Sequence, residues 1–203
     1  MKVRMFAPLF VLLSALAVTA ADDPKMPPKA PDGWKYVESK DKAYQILMPT
    51  TTTRSGTRTS TSNRGGLSLK QQINYATLAD GTQFSATAAT MSGAALKGLT
   101  IGDVYKKMFE GMAADGGTVS EPKEFEIAGR KGKEVFHTAK DKSEERLVLL
   151  VGKNRIYEML VVSKDKTKLT DETANTFLKS LFLNVKDATA PAEKDGEKKP
   201  EAK

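Results

Sequence analysis

Cysteine is absent from the 203-residue chain, so no disulfide framework, thiolate metal site or cysteine nucleophile can be built from it. Histidine occurs once, at His137, which excludes a multi-histidine metal centre, and no cofactor is expected. Long apolar runs are missing as well. The longest, residues 5–18, is interrupted by Pro8 and Ser14 and falls short of the roughly 20 residues that a bilayer-spanning helix requires. There is no G-x-S-x-G elbow, no P-loop, no G-x-G-x-x-G turn and no EF-hand calcium loop. What remains, 39% apolar and 28% charged with 15 glycines and 9 prolines, also excludes a collagen-like repeat and wholesale disorder.

What is present begins with an export signal. Lys2 and Arg4 precede the apolar run, and Val18, Thr19 and Ala20 supply a small-residue exit before Ala21. A charged start, a short apolar stretch and small residues at its end predict a secretory signal peptide over residues 1–21, cut after Ala20 or Ala21. Lipid attachment needs a cysteine after the cut, so a lipoprotein is excluded, and no transmembrane anchor is expected once the signal is removed. The destination is then the periplasm or the extracellular space.

Residues 22–31 belong to a proline-rich stretch without helical or strand period and read as an extended linker. Residues 187–203 contain no aromatic or branched aliphatic side chain and read as a disordered charged tail. A single domain is expected over 32–186. It holds 24 Lys and Arg against 18 Asp and Glu, a net of +6 out of the +7 carried by the whole chain. That excess biases association toward anionic partners without naming one.

Periodicity sets the expected elements. Residues 34–38 and 43–48 read as two strands of a hairpin, the second stopped by Pro49. Residues 67–78 alternate, with Leu67, Leu69, Gln71, Ile73 and Tyr75 on one face, and the Asp80-Gly81 turn returns the chain into 82–92. Ile101, Val104, Tyr105, Met108, Phe109 and Met112 then form one stripe of an amphipathic helix, with Thr100 as N-cap and Asp103 three residues on. Residues 118–127 read as an edge strand containing Pro122, 133–139 as the next, and 147–151 and 155–162 as central strands. A second helix is expected over 170–181, and 182–185 closes as a short strand. The class is α+β: a mostly antiparallel central sheet of about 7–9 strands with two amphipathic helices packed on it.

Candidate chemistry is sparse. His137 has no nucleophile implied beside it and is read as a hydrogen-bonded or surface strand residue. The acids Asp103, Glu110, Glu144, Glu145, Asp171 and Glu172 fall in turns or on polar faces, where solvated charge accounts for them. The glycines and lysine of 93–98 lack phosphate-loop spacing and read as a plain loop, and Met108 and Met112 read as core filling. Residues 50–66 stand apart, because they hold no aliphatic or aromatic residue. They form either a long mobile loop or a strand pair exposed at a sheet edge. Arg54, Arg58 and Arg64 punctuate ten Ser and Thr there, and in extended chain their even spacing places them on one face. Guanidinium forks among hydroxyls suit phosphate, sulfate or carboxylate groups, so these three are the candidate ligand-binding residues. Aromatic interleaving is missing, and no nucleic-acid partner is expected.

Several short motifs resemble a known type. They are Trp34-x-Tyr36, the Ile46-Leu47-Met48-Pro49 strand end, Gly129-x-x-Gly132-x-Glu134, Arg146 on an apolar strand, Arg155-Ile156-Tyr157 and Phe177-Leu178-Lys179-Ser180-Leu181-x-Leu183. Together they are similar to small exported bacterial proteins of the PsbP-like fold, named for an extrinsic photosystem II subunit. The resemblance implies an antiparallel sheet flanked by helices and a role in binding or assembly. It carries over neither a site nor the photosystem role. The expected function is therefore an exported, non-catalytic binding or assembly module of the cell envelope, with an envelope protein or anionic polymer engaged through the basic 50–66 segment. The alternatives are a secreted enzyme whose polar site lies in a concave pocket, and an accessory domain whose sheet edge pairs with another protein.

Overall fold

The computed structural model describes residues 27–184 apart from 65, 92–97, 115, 128 and 153–154. The signal peptide, the start of the linker, the charged tail and most of the 93–98 loop lie outside the described residues. Eleven strands alternate with few helices: β1 (Trp34–Glu38), β2 (Tyr44–Pro49), β3 (Arg54–Arg64), β4 (Leu67–Thr77), β5 (Gln83–Met91), α1 (Ile101–Ala114), β6 (Thr118–Val119), β7 (Lys123–Ile127), β8 (Arg130–Thr138), β9 (Glu144–Val151), β10 (Arg155–Ser163), a 3-10 turn (Lys166–Leu169), α2 (Glu172–Leu178) and β11 (Phe182–Leu183). Every recorded strand pair is antiparallel, so the architecture is α+β on mostly antiparallel sheet.

The strands divide between two sheets rather than joining one. The larger has eight strands in the order β3-β4-β5-β10-β9-β8-β6, with β7 also on β8, and the smaller is β1-β2-β11. The reason lies in what the larger sheet must cover. Paired residues share a face. Phe84, Ala86, Tyr157, Met159, Val161, Val148 and Leu150 all fall on one side, and all are buried. The seven-residue α2 is only about 10 Å long and cannot cover that width alone. The small sheet lays Tyr44, Ile46 and Met48 over the remainder, next to Phe177 and Leu178 of α2. Edge-to-face rings tie the layers, with Phe84 against Trp34 at 6.5 Å and against Phe177 at 5.3 Å. Tyr44 Oη donates to Ala86 O (2.7 Å) and accepts from Asn74 Nδ2 (3.0 Å), and burial pushes its phenol well above the ordinary range.

The opposite face takes α1. Val104, Met108 and Met112 pack on Leu67, Leu69, Ala89, Met91, Val135, Leu147, Leu149, Val151 and Ile156. Thr100 caps the helix as its sequence implies: its Oγ1 accepts from the Asp103 N–H (3.1 Å), and its own N–H donates to Asp103 Oδ2 (2.8 Å).

Three expectations change or narrow. Residues 54–64, read as either a long loop or a strand pair at a sheet edge, form a single eleven-residue edge strand, because β4 offers a ladder partner at every position. The 118–127 strand is two short strands on β8, parted at Pro122, which has no N–H for a ladder. The second helix stops at Leu178 rather than reaching 181. Ser180 ends it by donating from Oγ to Phe177 O (2.7 Å) while accepting from the Leu47 N–H (3.0 Å).

Candidate functional site

β3 positions the sequence-predicted arginines. Arg54 and Arg58 occupy even positions of the strand, and both side chains are exposed on the face that carries α1 further along. Between them Gly56 sits directly opposite Tyr75 of β4. The phenol ring lies across that glycine so closely that a Cβ there would stand 3.1 Å from Tyr75 Oη. The arginines flank the ring, with guanidinium carbons 5.7 and 5.8 Å from its centroid. Each contact is a cation–π attraction, which orients the cation without neutralising it. Among the described residues neither guanidinium forms an ion pair. Two positive forks are thus held about one aromatic ring with hydrogen-bonding capacity left for a carboxylate, sulfate or phosphate. Arg64 closes the strand opposite Leu67, at the same parity and six residues beyond Arg58.

A second polar group lies across the same face. His137 on β8 is paired directly with Glu145 on β9, and its Nδ1 stands 2.9 Å from Glu145 Oε2. Met112, Leu147, Leu160 and the buried Glu158 join them around a cavity of about 370 Å³. The other imidazole nitrogen, Nε2, is buried with no hydrogen-bond partner. It packs against Gly117, where any Cβ would collide with the ring. One nitrogen is therefore engaged by a carboxylate and the other is closed off by backbone. Neither arrangement offers a nitrogen to a molecule in the cavity for general acid–base transfer. Among the described residues no cluster of three or more acidic or histidine side chains is placed to hold a metal ion, and no helix is long and apolar enough to cross a membrane.

The third charged group is internal. Arg146, 7% exposed, donates from Nε to Glu134 Oε1 (2.8 Å) and from Nη1 to Leu169 O (2.9 Å) and Asn175 Oδ1 (2.8 Å). Its carbon stands 5.7 Å from the Phe136 ring centroid. These contacts bind the 3-10 turn and α2 to the sheet and turn the guanidinium onto the protein itself.

Sequence reasoning missed Tyr75 as a site residue and treated Glu145 as solvated charge. Tyr75 had a signal, since a glycine in an exposed strand is commonly covered by a cross-strand aromatic ring. Glu158 sits in an apolar strand, RIYEMLVVS, where a lone acid is itself a signal. No protein-family model matches the chain, and no curated protein matches it.

Proposed function

We propose that this protein is an exported, non-catalytic binding or assembly module of the cell envelope that engages an anionic partner through the Arg54–Tyr75–Arg58 cluster on β3. The observation that carries the reading is a pair of exposed guanidiniums, held about one ring and without counter-ions among the described residues. Leaving two such charges unpaired on an ordered strand gains nothing for folding, whereas it pre-orients them for an incoming anion. The net positive charge of the chain favours the same class of partner. The PsbP-like relationship belongs to this proposal, supported by the short motifs that carry the resemblance. Export rests on residues 1–21, and N-terminal sequencing of protein recovered outside the cytoplasm should start at Ala21 or Asp22; an intact Met1 would remove that part.

The reading is tested by cross-linking the tagged protein in its native envelope and repeating the capture across salt concentrations. Capture should weaken as salt rises and should drop further in the Arg54→Ala/Arg58→Ala variant. A control with equal charge loss, Lys106→Ala/Lys107→Ala, should retain it. Capture that ignores both salt and the arginine substitutions overturns the reading.

The cavity beside His137 is the one observation that favours an enzyme, because it gathers a histidine and two glutamates on an apolar floor. The engagement of Nδ1 by Glu145 and the burial of Nε2 against Gly117 weigh against it. Turnover of any substrate that disappears in His137→Gln, with the melting temperature unchanged, would make the enzyme reading the better one.

A further inference from the structure

The free margin of β3 specifies more than a charge. β3 pairs with β4 without a break from Arg54 opposite Thr77 to Arg64 opposite Leu67, so the strand carries no bulge and, by its sequence, no proline. It stands at the end of the strand order, and residues 54–59 are all exposed. Alternate N–H and C=O groups of β3 point away from β4, its one strand partner among the described residues, which makes a template for another strand. Proteins usually spoil such margins with short strands, prolines or kinks. The opposite margin of this sheet is treated that way, with two-residue β6 and five-residue β7 separated at Pro122. β3 is not.

We infer that the anionic partner is a protein segment in extended form, added to the free edge of β3 as a further strand, with acidic side chains four residues apart opposite Arg54 and Arg58. The inference rests on the anion-binding reading given above and adds the form in which the anion arrives. Directly opposed residues on neighbouring strands stand about 5 Å apart, within reach of a carboxylate for a guanidinium. Side chains four apart on a strand point the same way, so acids at that spacing meet both arginines at once. Ser and Thr at six of the other nine positions of β3 present small hydroxyl side chains that accept most neighbours. A second copy of the same chain is the wrong occupant. In a full-length antiparallel pairing of two β3 strands, Arg54 of one copy falls opposite Arg64 of the other, twice, and like charges directly opposed are destabilising.

The test uses the full purified protein and three synthetic peptides of eleven residues, the length of β3. The first is Ser/Thr-rich with two glutamates four positions apart. The second has the same composition with the glutamates adjacent. The third repeats the first with N-methyl groups on alternate backbone amides, which removes ladder donors and keeps the charge. Affinity is read by fluorescence anisotropy, and hydrogen exchange is followed at the amides of residues 54–64. The first peptide should bind and protect alternate β3 amides, and the second and third should each bind about tenfold more weakly. Arg54→Ala/Arg58→Ala, both at exposed positions, should reduce affinity for the first peptide by a similar factor with circular dichroism unchanged. Equal binding of all three without amide protection overturns strand addition and leaves the anion-binding reading standing. Binding of an anionic polysaccharide, lost in the arginine variant, with no peptide bound overturns the protein segment in favour of a polymer. If neither peptide nor polymer binds, both readings fall together.

Discussion

Arg146 and Arg54 show how neighbours decide what a guanidinium does. Arg146 lies in the interior, where Glu134, Leu169 O and Asn175 take up its donors. Removing it leaves the Glu134 carboxylate, 14% exposed, without its cation. Arg146→Ala should therefore lower unfolding stability by about 3–5 kcal/mol, read as a shift of the urea midpoint at constant slope. Arg54 faces solvent across Tyr75, and its loss should leave stability within about 0.5 kcal/mol while affecting only capture of the partner. The even spacing of Arg54, Arg58 and Arg64 was legible in the sequence and placed them on one face. The setting of Arg54 and Arg58 about Tyr75 was not, because that contact depends on which residue of β4 stands opposite Gly56, a matter of register between strands. The pairing of the half-buried Glu145 with His137 was hidden for the same reason.

Elements with a strong local period were read well, and those set by distant contacts were not. The stripe of α1 announces the helix, and Asp80-Gly81 announces the β4–β5 hairpin, where Gly81 adopts a φ of 84°. Residues 147–151, apolar on both faces, do lie inside the large sheet between β10 and β8. No local rule, however, says that β5 pairs with β10 or that β11 returns to β2. These pairings bring together residues far apart in the chain and send β1 and β2 to a sheet of their own. The reading of α1 leads to a firm expectation. Met108 is fully buried between the helix and the sheet, so Met108→Ala should cost about 2–5 kcal/mol and lower the melting temperature. The cost should appear without loss of helix content if α1 stays docked, which far-ultraviolet circular dichroism would show.

On the scale of the whole molecule the two sheets are joined at their rim by an ion pair. Arg155 of β10 donates from Nη1 to Asp41 Oδ2 at 2.6 Å, across the turn that links β1 to β2. Burial by itself would raise the Asp41 carboxyl. Hydrogen bonds from Ser39 and Arg155, the Arg155 charge and the Ala43 N–H outweigh it and hold Asp41 below the usual carboxylate range. Since the folded value lies under the unfolded one, the stabilisation is complete above about pH 3.9 and is lost as pH falls through the folded value. Asp41→Asn should therefore be less stable than the parent protein at pH 7, and the gap should close as denaturation is repeated below about pH 3.9. A gap that stays constant with pH would show that the pair does not link the sheets.

The two margins of the large sheet also fix how many neighbours it can take. At β8 the outer ladder is already occupied in two short pieces with Pro122 between them, and no continuous stretch is left for another chain. At β3 there is no outer strand partner among the described residues, and positions 54–59 are all exposed. A sheet open at both margins can add copies without limit and lengthen into a fibre. This one presents a single long margin, so a strand that adds to the sheet by continuous pairing has one place to do so, along β3.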